Sequence, residues 1–154
     1  DRLSKGGNPA FVKFPRSMKD SLDFSFSGLK TSLLYYIKKR QTPIPEDELP
    51  HIAASYQESI VDDLVEKTLK AAEKFCLSQV VVSGGVAANN RLRDVFYERA
   101  DERGVKLFFP PPVLCTDNAA MIAVVGDNML KSGKRDSFNM NAISRWPLDS
   151  PVRI

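Results

Sequence analysis

The stretch VVVSGGVAANNRLR, residues 80–93, sets a glycine pair between a run of valines and an amphipathic segment. A buried strand that empties through Gly84 and Gly85 into a helix start is suited to an anion. Glycines lack Cβ and accept positive φ, so their backbone can approach a phosphate closely, while unpaired amides and the dipole at the helix start favour negative charge. Asn89 adds a side-chain amide for ligand contact. The alternative is a tight strand-to-helix turn in which Asn89 or Asn90 caps the helix. The pattern is neither GxGxxG nor a Walker A loop, so the dinucleotide and P-loop readings do not apply.

In PPPVLCTDNAAMIA, residues 110–123, Thr116, Asp117 and Asn118 open another helix. Asp117 is a metal ligand or an N-cap, and by residue type alone capping is preferred. Cys115 is a soft ligand or, more commonly for such a residue, a buried thiol. DFSFSGLKTS, residues 23–32, gathers hydroxyls and Lys30 at a strand–Gly–helix junction. Lys30 contacts phosphate or stays solvated while Ser27 caps the helix; the second reading is preferred. His51 has no His or Cys partner at metal-ligand spacing and belongs at the surface or a helix start. A zinc or iron site built from this chain alone is therefore not expected. Lys38, Lys39, Arg40, Arg91, Arg93, Lys131, Lys134 and Arg135 are scattered over three helix regions; most are expected to be solvated charges, though Arg91 and Arg93 lie near the proposed nucleotide edge.

The elements that must position these residues follow from periodicity. Leu22, Phe24 and Phe26 alternate with polar residues, predicting a short half-buried strand. After Gly28, Leu29, Leu33, Tyr36 and Ile37 predict a helix that ends in Lys38-Lys39-Arg40, and Pro43 and Pro45 confirm the stop. From about 46 to 75 a second helix carries two adjacent stripes, Ile52, Tyr56, Ile60, Leu64 and Val61, Val65, Leu69, Ala72, a face wide enough to imply burial. A strand at 79–82, a helix bearing Leu92, Val95, Phe96 and Ala100 with Gly104 as its stop, and a strand at 105–109 make a βαβ unit. Its strands should be parallel with a right-handed crossover, so the loops after Val82 and Phe109 both open at the carboxyl edge of one sheet, where ligand chemistry belongs. A last helix runs from near Asp117 to before Gly133, and residues 138–154, with Trp146, Pro147 and Pro151, read as an irregular tail.

The chain has 154 residues, 22 Lys+Arg against 19 Asp+Glu, a net charge of +3 and 43% hydrophobic residues, which excludes disorder as its main state. No apolar run approaches the roughly 18 residues of a membrane span, and the opening DRLSKGG lacks the apolar segment of a signal peptide. A soluble, cytoplasmic protein is expected. Cys76 and Cys115 lack CxxC spacing, so neither a disulfide framework nor a structural zinc site is indicated. The chain begins at Asp1 without Met and is expected to be a fragment.

In order and spacing, FSFSGLKTS, HIAASYQESIVDDLVEKTLKAAE, VVSGGVAANNRLR, PPPVLCTDNAAMIA and SRWPLD resemble the TsaD family of tRNA threonylcarbamoyladenosine transferases, formerly called O-sialoglycoprotein endopeptidases. The resemblance runs from about Pro9 to Asp149. It implies an α/β fold, the C-terminal lobe of an actin/Hsp70/sugar-kinase-like architecture, with a mixed sheet flanked by helices. It also implies transfer of threonylcarbamoyl from threonylcarbamoyl-AMP to the adenosine beside the anticodon of tRNAs reading codons that begin with A. On this resemblance Asn89 binds substrate, Gly84 and Gly85 form the phosphate-facing turn, and Asp117 joins two histidines of a His-x-x-x-His motif on one divalent metal, iron or zinc. That reverses the capping preference for Asp117. Both histidines are missing from this chain, so it is expected to be inactive alone, and its lobe-facing apolar surface is expected to promote self-association. The implied partners are tRNA with a TsaB-like paralogue and a TsaE-like ATPase, or KEOPS-type subunits, and a mitochondrial or plastid setting is the variant of the cytoplasmic one. Two other readings compete. A metal-dependent glycoprotein endopeptidase would need an HExxH pair or another peptide-cleaving constellation, which is absent. A non-catalytic nucleotide-binding scaffold supporting an active paralogue would have no use for both Asn89 and Asp117.

Overall fold

The computed structural model describes residues 1–139 except 17, 19 and 41, together with 141 and 144. It forms two compact units, Asp1–Thr116 and Asp117–Ile154. The first holds α1 (Ser27–Lys39), α2 (Leu49–Lys74), β1 (Gln79–Val81), α3 (Asn90–Glu102) and β2 (Lys106–Phe108), with 3-10 turns at Gly85–Ala88 and Pro112–Leu114. The second holds α4 (Ala119–Lys131). The tail reading at Trp146, Pro147 and Pro151 lies outside the described residues. No helix among the described residues is long and apolar enough to cross a membrane.

β1 and β2 pair in parallel, with Val80 opposite Leu107 and Val81 opposite Phe108. The ladder continues where Val82 N–H donates to the Phe108 carbonyl at 2.9 Å. Because successive strand side chains alternate faces, Val80 and Leu107 turn to the core while Val81 and Phe108 stay exposed. The main core is a seam between two helices: Val61, Val65 and Leu69 of α2 meet Leu92, Val95, Phe96 and Ala100 of α3, with Val82, Val105, Leu107 and Phe109 of the strand region packed against them. Residues three and four apart share a helix face, so this stripe of α2 is continuous. A smaller cluster joins Phe14, Leu29 and Ile52, where Phe14 meets Tyr56 edge to face at 5.6 Å.

Ion pairs line the flank of the seam. Asp62 accepts from Arg16 and, at 2.5 Å, from Arg99. Glu66 takes Arg99 at 2.9 Å and Arg103 at 2.9 Å, and Glu58 grips Arg91 through both oxygens at 2.7 Å. Burial pushes the Asp62 carboxyl up, but the hydrogen bonds and charges of Arg16 and Arg99 outweigh it and hold the pKa below the ordinary 3.8.

Several expectations are corrected. Residues 22–26 form no strand. Among the described residues only β1 and β2 pair, so the mixed sheet is here a parallel pair. The 22–26 segment is held instead by Ser21 bonding Asp23 at 2.7 Å and by Lys67, whose Nζ donates to the Asp23 carbonyl at 2.5 Å and lies over the Phe24 ring. Ser27 does not cap α1; the N-cap position falls on Phe26, with no side-chain cap bond. α2 begins at Leu49 rather than near 46, with Pro50 in its first turn, where a missing N–H costs nothing. Of its two stripes, 61/65/69/72 is buried, whereas Tyr56, Ile60 and Leu64 are only half-buried. Gly104 does stop α3, at φ 65°.

Leu69 is fully buried, so Leu69→Ala should cost about 2–5 kcal/mol, read as a fall in the denaturant midpoint at constant slope. Asp62, with its depressed pKa, contributes stability that is complete above its ordinary pKa and lost as pH falls through the depressed one. Asp62→Asn should therefore flatten the acid limb of the stability–pH curve below about pH 4; an unchanged limb would refute this.

Candidate functional site

Past β1 the chain reaches Gly84 at φ 92°, ψ 170°, a conformation that L side chains avoid. A Cβ built on Gly84 or Gly85 would meet nothing within 4 Å. Glycine is thus required at Gly84 by backbone conformation and not by crowding, and both residues present open backbone. Ala87 N–H closes the turn on the Gly84 carbonyl at 2.9 Å.

Asn89 ends this turn and caps α3, its Oδ1 accepting Leu92 N–H at 2.9 Å. The choice between Asn89 and Asn90 is thereby resolved, since Asn90 is the first helical residue. The other end of the Asn89 amide donates through Nδ2 to Gln57 Oε1 of α2 at 3.1 Å. Asn89 and Gln57 both line a cleft of about 710 Å³ walled by Leu33 and Ile37 of α1, by Ile52, Tyr56, Ile60 and Leu64 of α2, and by Val86 of the turn. The half-buried stripe of α2 is the floor of this cleft.

Arg93, which the sequence places near the nucleotide edge without a defined role, is a strut in the structure. Its Nε donates to the Ala87 carbonyl at 2.6 Å, and Nη2 to the Pro110 carbonyl at 2.7 Å and Cys115 Sγ at 3.2 Å. Its guanidinium lies 4.8 Å from the Phe109 ring centroid. One side chain thereby joins the loop after β1 to the loop after β2, and five donors in a fixed fork suit it to that task. Its position four residues after the cap, on the same helix face as Asn89, is the only sequence signal for this role. Cys115 is 1% exposed, in keeping with a buried thiol. Lys30 is exposed.

In the second unit, Asn118 and not Asp117 caps α4, with its Oδ1 accepting Met121 N–H at 3.1 Å. The capping preference for Asp117 is corrected, and its carboxylate is exposed. The metal that the resemblance implies does not fit the chain by itself. No group of three or more His, Cys, Asp or Glu among the described residues could hold an ion. The sole histidine, His51, already uses Nδ1 to accept Asn8 N–H at 2.8 Å.

Fold and turn together define an α/β protein whose parallel strands are joined through an open glycine turn and a capped helix. The family model for TsaD, tRNA N6-adenosine threonylcarbamoyltransferase, matches residues 1–124, and the chain belongs to that family. Proteins called tRNA N6-adenosine threonylcarbamoyltransferase are similar along nearly the whole chain. One from Syntrophus aciditrophicus is 62% identical over 149 residues, covering 97% of this chain and 44% of the relative. One from Syntrophotalea carbinolica is 48% identical over 151 residues, with 97% and 44% covered, and one from Geobacter metallireducens is 46% identical over 154, with 97% and 45% covered. The chain thus spans less than half the length of these curated relatives.

Arg93→Met should uncouple the two loops. Amide hydrogen exchange should quicken at Ala87 and Cys115 while the α2–α3 seam stays protected; unchanged exchange at both loops would show that Arg93 is not the strut.

Proposed function

We propose that this chain is the C-terminal part of a tRNA N6-adenosine threonylcarbamoyltransferase and carries half of its substrate site, in a lobe of the actin/Hsp70/sugar-kinase type. The observation that carries this is the open backbone of Gly84 and Gly85, ending in Asn89, in a chain of that family. In the proposed reaction the exocyclic amine of a tRNA adenosine attacks the carbamoyl carbon of threonylcarbamoyl-AMP. The new C–N bond replaces the bond from that carbon to the phosphate oxygen, AMP leaves with the electron pair, and the amine loses a proton. Amides of the glycine turn would take the phosphate, whose charge grows as AMP departs, and stabilise the departing anion without reorganisation. Asn89 would fix the nucleotide part, leaving the acyl carbon to the tRNA amine.

Asp117 is proposed as one ligand of the family's divalent ion, iron or zinc, with two histidines from outside these 154 residues. The solitary engaged His51 supports that division. The tRNA, a TsaB-like paralogue and a TsaE-like ATPase or KEOPS-type subunits, and a cytoplasmic setting belong to the same proposal.

Asp117→Ala in the complete transferase should cut threonylcarbamoylation of tRNA by more than about 100-fold, beyond the roughly 10–100-fold that loss of an outer-shell partner costs. It should also lower the bound metal measured by elemental analysis. Full activity with full metal content would contradict the assignment.

A further inference from the structure

We infer that Gln57 is a positioning residue that aims the Asn89 side-chain amide at the substrate; this rests on the reading of Asn89 as a substrate contact. Gln57 belongs to the motif HIAASYQES, residues 51–59, in the first half of α2. Two adjacent residues of the motif reach from α2 to the start of α3: Gln57 accepts from Asn89, and Glu58 grips Arg91. The pair therefore holds the N-cap and the first turn of α3 at two points.

The hydrogen bonds at Asn89 fix its orientation. Leu92 N–H requires an acceptor and finds Oδ1 at 2.9 Å, while Gln57 Oε1 requires a donor and finds Nδ2 at 3.1 Å. Flipping the Asn89 amide would set donor against donor and acceptor against acceptor, so only one orientation satisfies both neighbours. Nδ2 carries two hydrogens and Gln57 takes one. The other is the donor left to Asn89, on a half-buried residue that lines the cleft. A ligand acceptor, such as a ribose hydroxyl or phosphate oxygen, would receive it. The cap bond to Leu92 alone anchors the oxygen; Gln57 restrains the nitrogen, the atom that would touch substrate.

The test is a double-mutant cycle in the complete transferase, using Gln57→Met, Asn89→Ala and the double variant, with threonylcarbamoyl-AMP and tRNA as substrates. Methionine keeps the length and apolar fit of the side chain but accepts no strong hydrogen bond. Gln57→Asn, too short by one methylene, serves as second variant if Met impairs folding. Gln57→Met should raise KM for threonylcarbamoyl-AMP about tenfold at nearly constant kcat, because the contact acts equally before and in the transition state. In the Asn89→Ala background the same substitution should add less than about twofold, since Gln57 acts only through Asn89. Thermal midpoints of wild type and Gln57→Met should agree within a few degrees. An unchanged KM in Gln57→Met beside a raised KM in Asn89→Ala would overturn the inference, as would additive effects. An unchanged KM in Asn89→Ala would overturn the reading of Asn89 itself, and the inference with it.

Discussion

The apolar seam between α2 and α3 is the contact on which the first unit depends. Val65 and Leu69 are fully buried in it, against Leu92, Val95, Phe96 and Ala100. Burial of this kind is strong but non-directional and does not by itself choose a register. The ion pairs along the flank supply that choice. Glu58, Asp62 and Glu66 stand four residues apart on α2 and meet Arg91 and Arg99 of α3 and Arg103 at its C-cap. Sliding one helix along the other would separate every pair at once.

That register delivers the site. With α3 fixed along α2, its first turn sits opposite Gln57 and Glu58, and the glycine turn that precedes it is held between β1 and the Asn89 cap. α2 does two things with two faces: one stripe makes the core and the next makes the floor of the cleft. Arg93 then ties the loops that follow the two strands, so both motifs at the carboxyl edge of the sheet hang from one helix. A rigid helix carrying both supports keeps an open backbone turn in place without filling the space in front of it.

The βαβ unit, the glycine turn, the buried Cys115 and the stop at Gly104 were legible because each depends on local period or on one residue's conformational range. The 22–26 segment was not. Its alternation is real, but a strand also needs a neighbour, and Lys67, more than forty residues away, holds it in another form. Asp117 and Asn118 are both capping types in adjacent positions, and only the extended backbone of Asn118, φ −151° and ψ 157°, shows which one caps. Both stripes of α2 read as buried, because periodicity reports an apolar face and not what covers it. Gln57 carried no local signal, since its partner lies 32 residues along the chain. The family resemblance reached the correct family where composition and spacing stopped at an anion-suited turn.

The Gly84–Gly85 turn and Asn89 are proposed to hold the nucleotide part of the acyl donor. A crystal structure of the complete transferase with a non-reactive threonylcarbamoyl-AMP analogue tests it most directly. Phosphate oxygens should lie within about 3 Å of the turn's backbone amides, with a ligand acceptor on Asn89 Nδ2. An analogue bound elsewhere, with the turn and Asn89 facing only solvent, would contradict it.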